Sequence, residues 1–293
     1  MSLMGIFDRV ADLDAFDKVI EPARRVVLSA LKPPALKNFL HGTWLGHPLH
    51  PVVVQVPVGS WVSAGLLDAI PPLRPAATVL IGTGVAAAVP AALTGAADWS
   101  EQEVGVRRLG AIHAVANVAA LGLYAGSLVA RAKGRGTVGR VLSYSGLGVA
   151  GGSAAIGGHM AYSQSSGASH AATAARSLTT DWIDLGPLDD FPEGRPTLRR
   201  GSGSGVDVPL AAVRRGARVD VFVGACSHLS GPLYEGSVEK LGGDDCLACP
   251  WHGSAFALDS GAPRRGPAAN PQEKLEVRMD AGRVMARLPG RHR

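Results

Sequence analysis

Two short stretches in the last quarter of the chain hold the side chains best suited to chemistry: Cys226-Ser227-His228 and Cys249-Pro250-Trp251-His252-Gly253. Each pairs a thiol with an imidazole, and twenty residues separate the two pairs. Two thiolates and two imidazoles can close a tetrahedral site around one zinc ion. They can also hold a two-iron, two-sulfide cluster, both thiolates on one iron and both imidazoles on the other. Neutral imidazoles in place of two thiolates reduce the negative charge around such a cluster and raise its reduction potential. The third cysteine, Cys246, reads as a buried strand residue, and with two of three cysteines in the metal pattern a disulfide framework is not expected.

For the two pairs to meet, a rigid scaffold must present them on neighbouring loops. From Asp181 onward the sequence offers one. The segments WIDLGPLDDFPEG and VDVPLAAVRRGARVDVFVGACSH give short β-type runs separated by Gly, Pro and Asp turns. LEVRMDAGRVMARL reads as a closing hairpin about Ala281-Gly282. The expectation for residues 181–289 is a small antiparallel β domain with CSHLSGPLYEG and CPWHGSAFALDSG as its metal-bearing loops.

These residues resemble a known family. The CSH and CPWHG units, Gly231-Pro232-Leu233 after the first His, Gly253-Ser254-Ala255-Phe256 around the second, and the preceding Asp184–Asp190 segment are similar to Rieske ferredoxin-like domains. The resemblance implies a 2Fe-2S cluster, with Cys226 and Cys249 on the buried iron and His228 and His252 on the outer one that exchanges electrons. It also implies that the Ser254 hydroxyl hydrogen-bonds a cluster sulfide. Rieske subunits of quinol-oxidising complexes carry a further cysteine in each loop, forming a bracing disulfide. Here Gly231 and Trp251 occupy those places, and Phe256 stands where those proteins have Tyr. The expected protein is therefore a ferredoxin-like electron carrier of low to intermediate potential. An oxygenase catalytic subunit is not expected, because the residues after His252 contain a single histidine, His292, and no two-His, one-carboxylate iron site.

The rest of the chain differs in character. Overall 46% of residues are apolar, only 18% are charged, and Gly numbers 38. The charges withdraw from four segments, 51–67, 76–97, 109–130 and 141–162, each close to the ~20 residues needed to cross a bilayer. They are apolar all round, rich in Gly and Ala, and separated by short loops with Arg74, with Arg107 and Arg108, or with Arg131, Lys133, Arg135 and Arg140. Gly148, Gly152 and Ala155 share one face of the last segment, which suits close helix packing in lipid. The fold class expected is a multidomain membrane protein, a four-helix transmembrane bundle in residues 47–163 plus a small all-β Rieske domain, joined by a polar, small-residue linker at 164–180 in which His170 is a solvated side chain. Residues 1–46 are mixed and polar, with Asp8, Asp12, Asp14 and Asp17 alternating with Phe7, Val10, Leu13 and Phe16 at helical spacing. They read as a short surface helix on the domain or membrane, retained because no signal-peptide core follows the start.

If the four segments alternate in direction, His47, His50, His113 and His159 gather at one end of the bundle, with Asn117 and Tyr124 continuing the polar stripe below His113. Ionisable groups at that depth need a reason, so these four are candidates for a second site holding haem b or another metal, Gly152 leaving room for a flat macrocycle. HPLHP leading into an apolar helix, with three further spans, resembles an uncharacterised family of four-span bacterial membrane proteins over about residues 41–163. The net charge of +5 comes from the N-terminal part and does not point to nucleic acid. Expected partners are the lipid bilayer, a redox partner protein or a quinone, and further copies of the chain in a homo-oligomer. The expected place is the bacterial cell membrane, multi-pass, with the Rieske domain cytoplasmic, since six Lys or Arg precede the first span. The expected function is single-electron transfer between a redox partner and a site at the membrane face. The alternative is a transporter, sensor or plain anchor carrying a redox-sensing domain.

Overall fold

The computed structural model describes residues 7, 9, 11–203 and 206–289. Asp8 and Val10 of the N-terminal pattern, and His292, lie outside the described residues. The helices, in chain order, are α1 (Asp17–Ala30), α2 (Pro34–His41), α3 (His50–Val53), α4 (Gln55–Asp68), α5 (Arg74–Ser100), α6 (Val104–Ala132), α7 (Gly136–Tyr162) and α8 (His170–Ala175). Ten strands follow: β1 (Ile183–Pro187), β2 (Pro196–Gly203), β3 (Val206–Arg215), β4 (Arg218–Val223), β5 (Ser237–Leu241), β6 (Asp244–Ala248), β7 (Ala255–Ala257), β8 (Pro263–Arg265), β9 (Lys274–Asp280) and β10 (Arg283–Arg287). The chain divides into two compact units, Met1–Pro33 with Leu49–Ser166 and Pro34–Pro48 with Gly167–Arg293.

In the first unit all four apolar segments are helical. Prolines at the first turns of α3 and α5 start them, where the missing N–H has no partner to lose. The helices α4, α5, α6 and α7 pack in a ring, each against its neighbours. The ring buries an apolar cluster of Trp61, Ala64, Ala77, Ile81 and Tyr124, but unlike a water-soluble bundle it also buries polar groups and exposes many large apolar ones. Asp68, Ser127, Ser143 and Ser153 are buried, while Val79, Leu93, Val115, Val118 and Val141 are exposed. Two helical stretches, Pro71–Ser100 and Val104–Ala132, are long and apolar enough to cross a membrane, and only 22% and 17% of their most apolar windows is buried inside the protein. The other two segments fall short of that criterion: α4 has 14 residues, and α7 is diluted by glycine and serine.

The ring is pinned at one end by an ion pair. Arg131 of α6 donates from Nη1 to Asp68 Oδ1 of α4 at 2.9 Å and from Nη2 to Oδ2, with Asp68 fully buried, and Nη1 also reaches Thr78 Oγ1 of α5 at 3.2 Å. Nearer the middle Trp61 and Tyr124 stack with ring centroids 4.3 Å apart. Gly84 and Gly146 make room for them, since a Cβ at Gly146 would sit 3.1 Å from the Tyr124 ring. The small residues that admit close packing are therefore Gly84, Gly110, Gly139, Gly146 and Gly157. Gly148, Gly152 and Ala155, expected in that role, face outward, with nothing within 4 Å of a Cβ built at either glycine. Periodicity identifies a face of a glycine-rich helix but not its direction. Within the expected N-terminal pattern Phe7, Arg9 and Ala11 are helical, Asp14–Phe16 forms a 3-10 turn, and α1 runs on from Asp17 into the more basic stretch.

The second unit is the expected antiparallel β domain. One sheet has the order β1-β10-β9-β4-β3-β2 and the other β5-β6-β7-β8. The near-continuous apolar runs of β3 and β4 follow from cover on both faces. Leu210, Ala212, Val221 and Val223 enter one core, and Ala211, Val213 and Phe222 enter the other, together with Leu233, Leu247 and Phe256. The closing hairpin turns at Ala281 and Gly282, both at positive φ, with Asp280 opposite Arg283.

Two segments outside the expected domain complete this unit. Residues 167–180 are not a free linker: α8, capped by Ser169 Oγ accepting the Ala172 N–H at 3.2 Å, buries Ala171, Ala175 and Leu178 in the core of β3 and β4. From the N-terminal part, α2 docks through Asn38, whose amide donates to the Arg264 carbonyl at 3.1 Å and accepts the Gly266 N–H at 2.9 Å. Small side chains made 167–180 look like a tether, yet alanines at positions 171 and 175 are what let a short helix lie flat on a sheet.

Replacing Asp68 by Ala leaves the Arg131 guanidinium buried without its carboxylate, which destabilises by about 3–5 kcal/mol. Thermal unfolding followed by helical circular dichroism should show the helical transition falling accordingly, and Asp68→Leu with Arg131→Met should recover much of the loss.

Candidate metal centre

Both thiol–imidazole pairs sit on loops that close on themselves. The first leaves β4 and returns to β5. Its tip is a turn in which the Cys226 N–H donates to the Gly231 carbonyl at 2.8 Å and the Ser230 N–H to the Cys226 carbonyl at 2.9 Å. Ser230 takes a left-handed backbone, φ 61°, a strained state that persists only where its surroundings hold it. The second joins β6 to β7, with the Cys249 N–H donating to the Ser254 carbonyl at 2.8 Å and the Gly253 N–H to the Cys249 carbonyl at 3.1 Å. Gly253, at φ 72°, supplies the left-handed turn there, and Arg265 Nε holds its carbonyl at 2.7 Å.

The loops meet thiol to thiol. Cys226 and Cys249 are 1% and 4% exposed and hydrogen-bond each other, whereas the His228 and His252 rings are half-buried, centroids 5.1 Å apart and nearly perpendicular. Sulfur thus lies inside and imidazole outside. The thiol–thiol bond splits the titration of the pair. Together with the backbone N–H groups of Trp251 and His252 it pulls Cys249 down to about 6, while the same bond and burial push Cys226 well up. Burial, followed by repulsion from His252, His41, His170 and Lys37, pushes His228 down to about 3. The imidazole is therefore neutral, with a lone pair to give a metal, and its buried Nδ1 has no hydrogen-bond partner. Among the described residues no three His, Cys, Asp or Glu side chains are grouped to hold a single metal ion.

Several further residues brace the loops. Gln272, 2% exposed, accepts the Ser227 N–H at 2.8 Å and donates to the Val223 and Ala225 carbonyls at 2.7 and 2.9 Å. Ser254, fully buried, accepts the Ala268 N–H at 2.9 Å, which fixes its oxygen and leaves the hydroxyl proton to donate. His170 is not solvated: its N–H holds the Ser227 carbonyl at 3.1 Å, and its Nδ1 lies 3.1 Å from Ser230 Oγ, steadying the strained turn. Of these, only Ser254 belongs to a motif. Gln272 and His170 are 44 and 58 positions from His228 and carry no local signal. Gly231 and Trp251 do face each other, as two bracing cysteines would: a Cβ at Gly231 would meet the Trp251 ring at 3.3 Å and Cys249 Sγ at 2.7 Å. Cys246 is fully buried in β6, as expected.

Among the described residues His47, His50, His113 and His159, expected to form a second site, make no group of three that could hold a metal ion. His47 belongs to the β-containing unit, where its Nδ1 lies 3.0 Å from the Pro48 carbonyl. The other three serve helix packing. His50 Nδ1 bonds the Ala91 carbonyl at 2.9 Å. His113 Nδ1 meets the Ser153 carbonyl at 2.8 Å, and its Nε2 lies 3.0 Å from Asn117 Nδ2. His159 is buried edge-on to Phe7 at 5.4 Å.

Residues 46–175 match the family described as predicted membrane protein (DUF2231), and residues 181–278 match the Rieske 2Fe-2S domain. Ferredoxin CarAc of Metapseudomonas resinovorans is 31% identical over 103 residues, 35% of this chain and 90% of that ferredoxin. The chain belongs to the Rieske family. Solved structures similar to it include a chain of the complex of reduced oxygenase and oxidized ferredoxin in carbazole 1,9a-dioxygenase (31% identity, covering 37% of this chain and 94% of that one, TM-score 0.32). Another is the ferredoxin of carbazole 1,9a-dioxygenase from Nocardioides aromaticivorans IC177 (24% identity, 36% and 96% covered, TM-score 0.32). The all-β domain is a Rieske domain, its cofactor is a 2Fe-2S cluster, and it is homologous to electron-transfer ferredoxins.

A side chain at position 231 cannot coexist with the Cys249 sulfur. Gly231→Ala, an overpacking change of about 1–3 kcal/mol, is expected to lose most of the iron bound per chain. Gly148→Ala, with open space around it, should keep the wild-type content. Equal iron in both variants would contradict the contact.

Proposed function

We propose that this chain is a membrane-anchored Rieske electron carrier, passing single electrons between a redox partner and a site at the membrane face. Cys226 and Cys249 would hold the inner iron and His228 and His252 the outer one, with the Ser254 proton directed to a sulfide. The cluster supplies a one-electron couple. The observation that carries the assignment is the two-plus-two layering: two thiols buried in mutual contact, and outside them two imidazoles, one of them neutral with its Nδ1 unpartnered. A zinc site would instead draw all four donors to one centre.

The protein's own residues would do the rest. Backbone N–H groups of Trp251 and His252 favour the thiolate form of Cys249, and those of His228 and Leu229 do the same for Cys226. The half-buried imidazole edge brings the outer iron within reach of a partner. With Gly231 and Trp251 in place of a bracing disulfide and Phe256 fully buried behind the second loop, the couple belongs at low to intermediate potential, suited to a ferredoxin-like exchange.

For the helical unit, four spans are the arrangement that best explains its apolar exterior. Exposed Val62 and Leu66 on α4, Val79 and Leu93 on α5, Val115 and Val118 on α6, and Val138 and Val141 on α7 form an apolar exterior around an interior that holds Asp68 and buried serines beside the Trp61–Tyr124 cluster. Exposed Lys18 and Arg25 on α1 favour a cytoplasmic position for that end, in the membrane of a bacterial cell.

The test is the full chain purified from membranes. Two irons and two acid-labile sulfides per chain are expected, with a rhombic low-temperature electron paramagnetic resonance signal on reduction that Cys226→Ser and His252→Ala each abolish. Stoichiometric zinc without that signal would sink the assignment.

A further inference from the structure

The helix α1 has three distinct sides. One is spent on the helical unit: Ile20 is 5% exposed, Asp17 takes the Arg108 guanidinium at 2.6 and 2.8 Å, Glu21 takes Arg107 at 2.8 Å, and Arg24 Nε donates to the Ser100 carbonyl at 2.7 Å. A second side carries exposed Lys18, Arg25 and Ser29. The third is unusual for a helix facing water. Phe16, Val19, Ala23, Val26 and Ala30, stepping by three and four residues, are all exposed, Val19 at 75% and Val26 at 71%, and spacing of that kind makes a continuous apolar stripe. Among the described residues of the helical unit, nothing covers it.

Its place on the unit indicates what does. The ion pairs clamp α1 where α5 ends and α6 begins, at Ser100, Arg107 and Arg108. One way along α5 is exposed Leu93, and along α6 exposed Val115. Each is seven residues, about 10 Å of helix axis, from those clamping points. The apolar exterior of the two helices long enough to cross a membrane thus begins about two turns from α1.

We propose that α1 is an in-plane membrane helix, its Phe16–Ala30 stripe sunk into the boundary between headgroups and acyl chains of a lipid bilayer, and Lys18 and Arg25 directed to anionic headgroups. Helices of this type bind by buried apolar area plus attraction to acidic lipid. Here Arg107 and Arg108 neutralise the acidic side of α1 and turn it inward, leaving the apolar and basic sides for the bilayer. The placement rests on α5 and α6 spanning that bilayer, as proposed above.

The test uses the full chain in vesicles of phosphatidylcholine with phosphatidylglycerol, carrying one spin label per variant at Val19→Cys, Val26→Cys, Lys18→Cys, Arg25→Cys or Leu93→Cys. Native Cys226, Cys246 and Cys249 are buried. Collision with oxygen, which concentrates in lipid, is compared with collision with a water-soluble nickel chelate. The oxygen-to-nickel ratio should be several-fold higher at positions 19 and 26 than at 18 and 25, and highest at 93. A label at 26 as accessible to nickel as one at 25, with 93 still in lipid, overturns the in-plane helix alone. Labels at 19 and 26 shielded from both reagents would overturn it in favour of a protein covering, such as a second copy. Nickel access at 93 would bring down the spanning reading and the in-plane helix together.

Discussion

The contact between the Cys226 and Cys249 thiols is the constraint on which the site depends. Two sulfurs can meet in a dry interior only if each loop satisfies its own backbone, because an unpaired N–H or C=O beside them would cost more than the contact returns. Each loop does so with a short internal turn: Cys226 to Gly231 in the first, Cys249 to Ser254 in the second. Glycine at 231 then follows, since the turn of one loop passes within 2.7 Å (measured from a Cβ built there) of the sulfur of the other. With the sulfurs inside, the imidazoles fall to the outer layer, and burial together with like charges around His228 keeps that ring neutral. A donor set of this polarity suits iron and sulfide and gives an outer edge through which an electron can pass.

The two units sort their charged and apolar groups in opposite ways. In the β unit the apolar faces of β3 and β4 are covered on both sides and most arginines and carboxylates lie outside, among them Arg283 with Asp184 and Arg287 with Glu276, while buried Asp220 is paired with Arg215 and Lys274. In the helical unit the ion pair Asp68–Arg131 and the serines are inside, and valines are outside. A charge placed in an apolar exterior is costly unless paired, so the polar groups of that unit turn inward and find each other. His50 and His113 behave the same way, as cross-helix hydrogen-bonding groups.

The candidate ligand residues are legible because their signal is local: type and spacing within two runs of a few residues. The β class, the closing hairpin at Ala281-Gly282 and the four helical segments were legible for the same reason, each being a pattern shorter than about thirty residues. What sequence could not carry was the direction of a face or a partner far along the chain. Gly148 and Gly152 share a side of α7 with the right periodicity, but that side points away from the packing. Residues 167–180 have a linker's composition, yet Ala171 and Ala175 are small because a sheet lies against them. Asn38 reaches 226 positions along the chain to Arg264, and Gln272 reaches 45 back to Ser227. No local pattern announces a brace of that length, although Gln272 holds three backbone groups of the first loop's base.

Mössbauer spectroscopy of the oxidised full chain reads the iron environments directly. The account requires two equal-area quadrupole doublets, one from an iron bound only by sulfur and one from an iron with two nitrogen ligands, and the second should change when His228 is replaced by Cys. A single doublet from two equivalent irons, or no protein-bound iron at all, would contradict the layered Cys226–Cys249 and His228–His252 site.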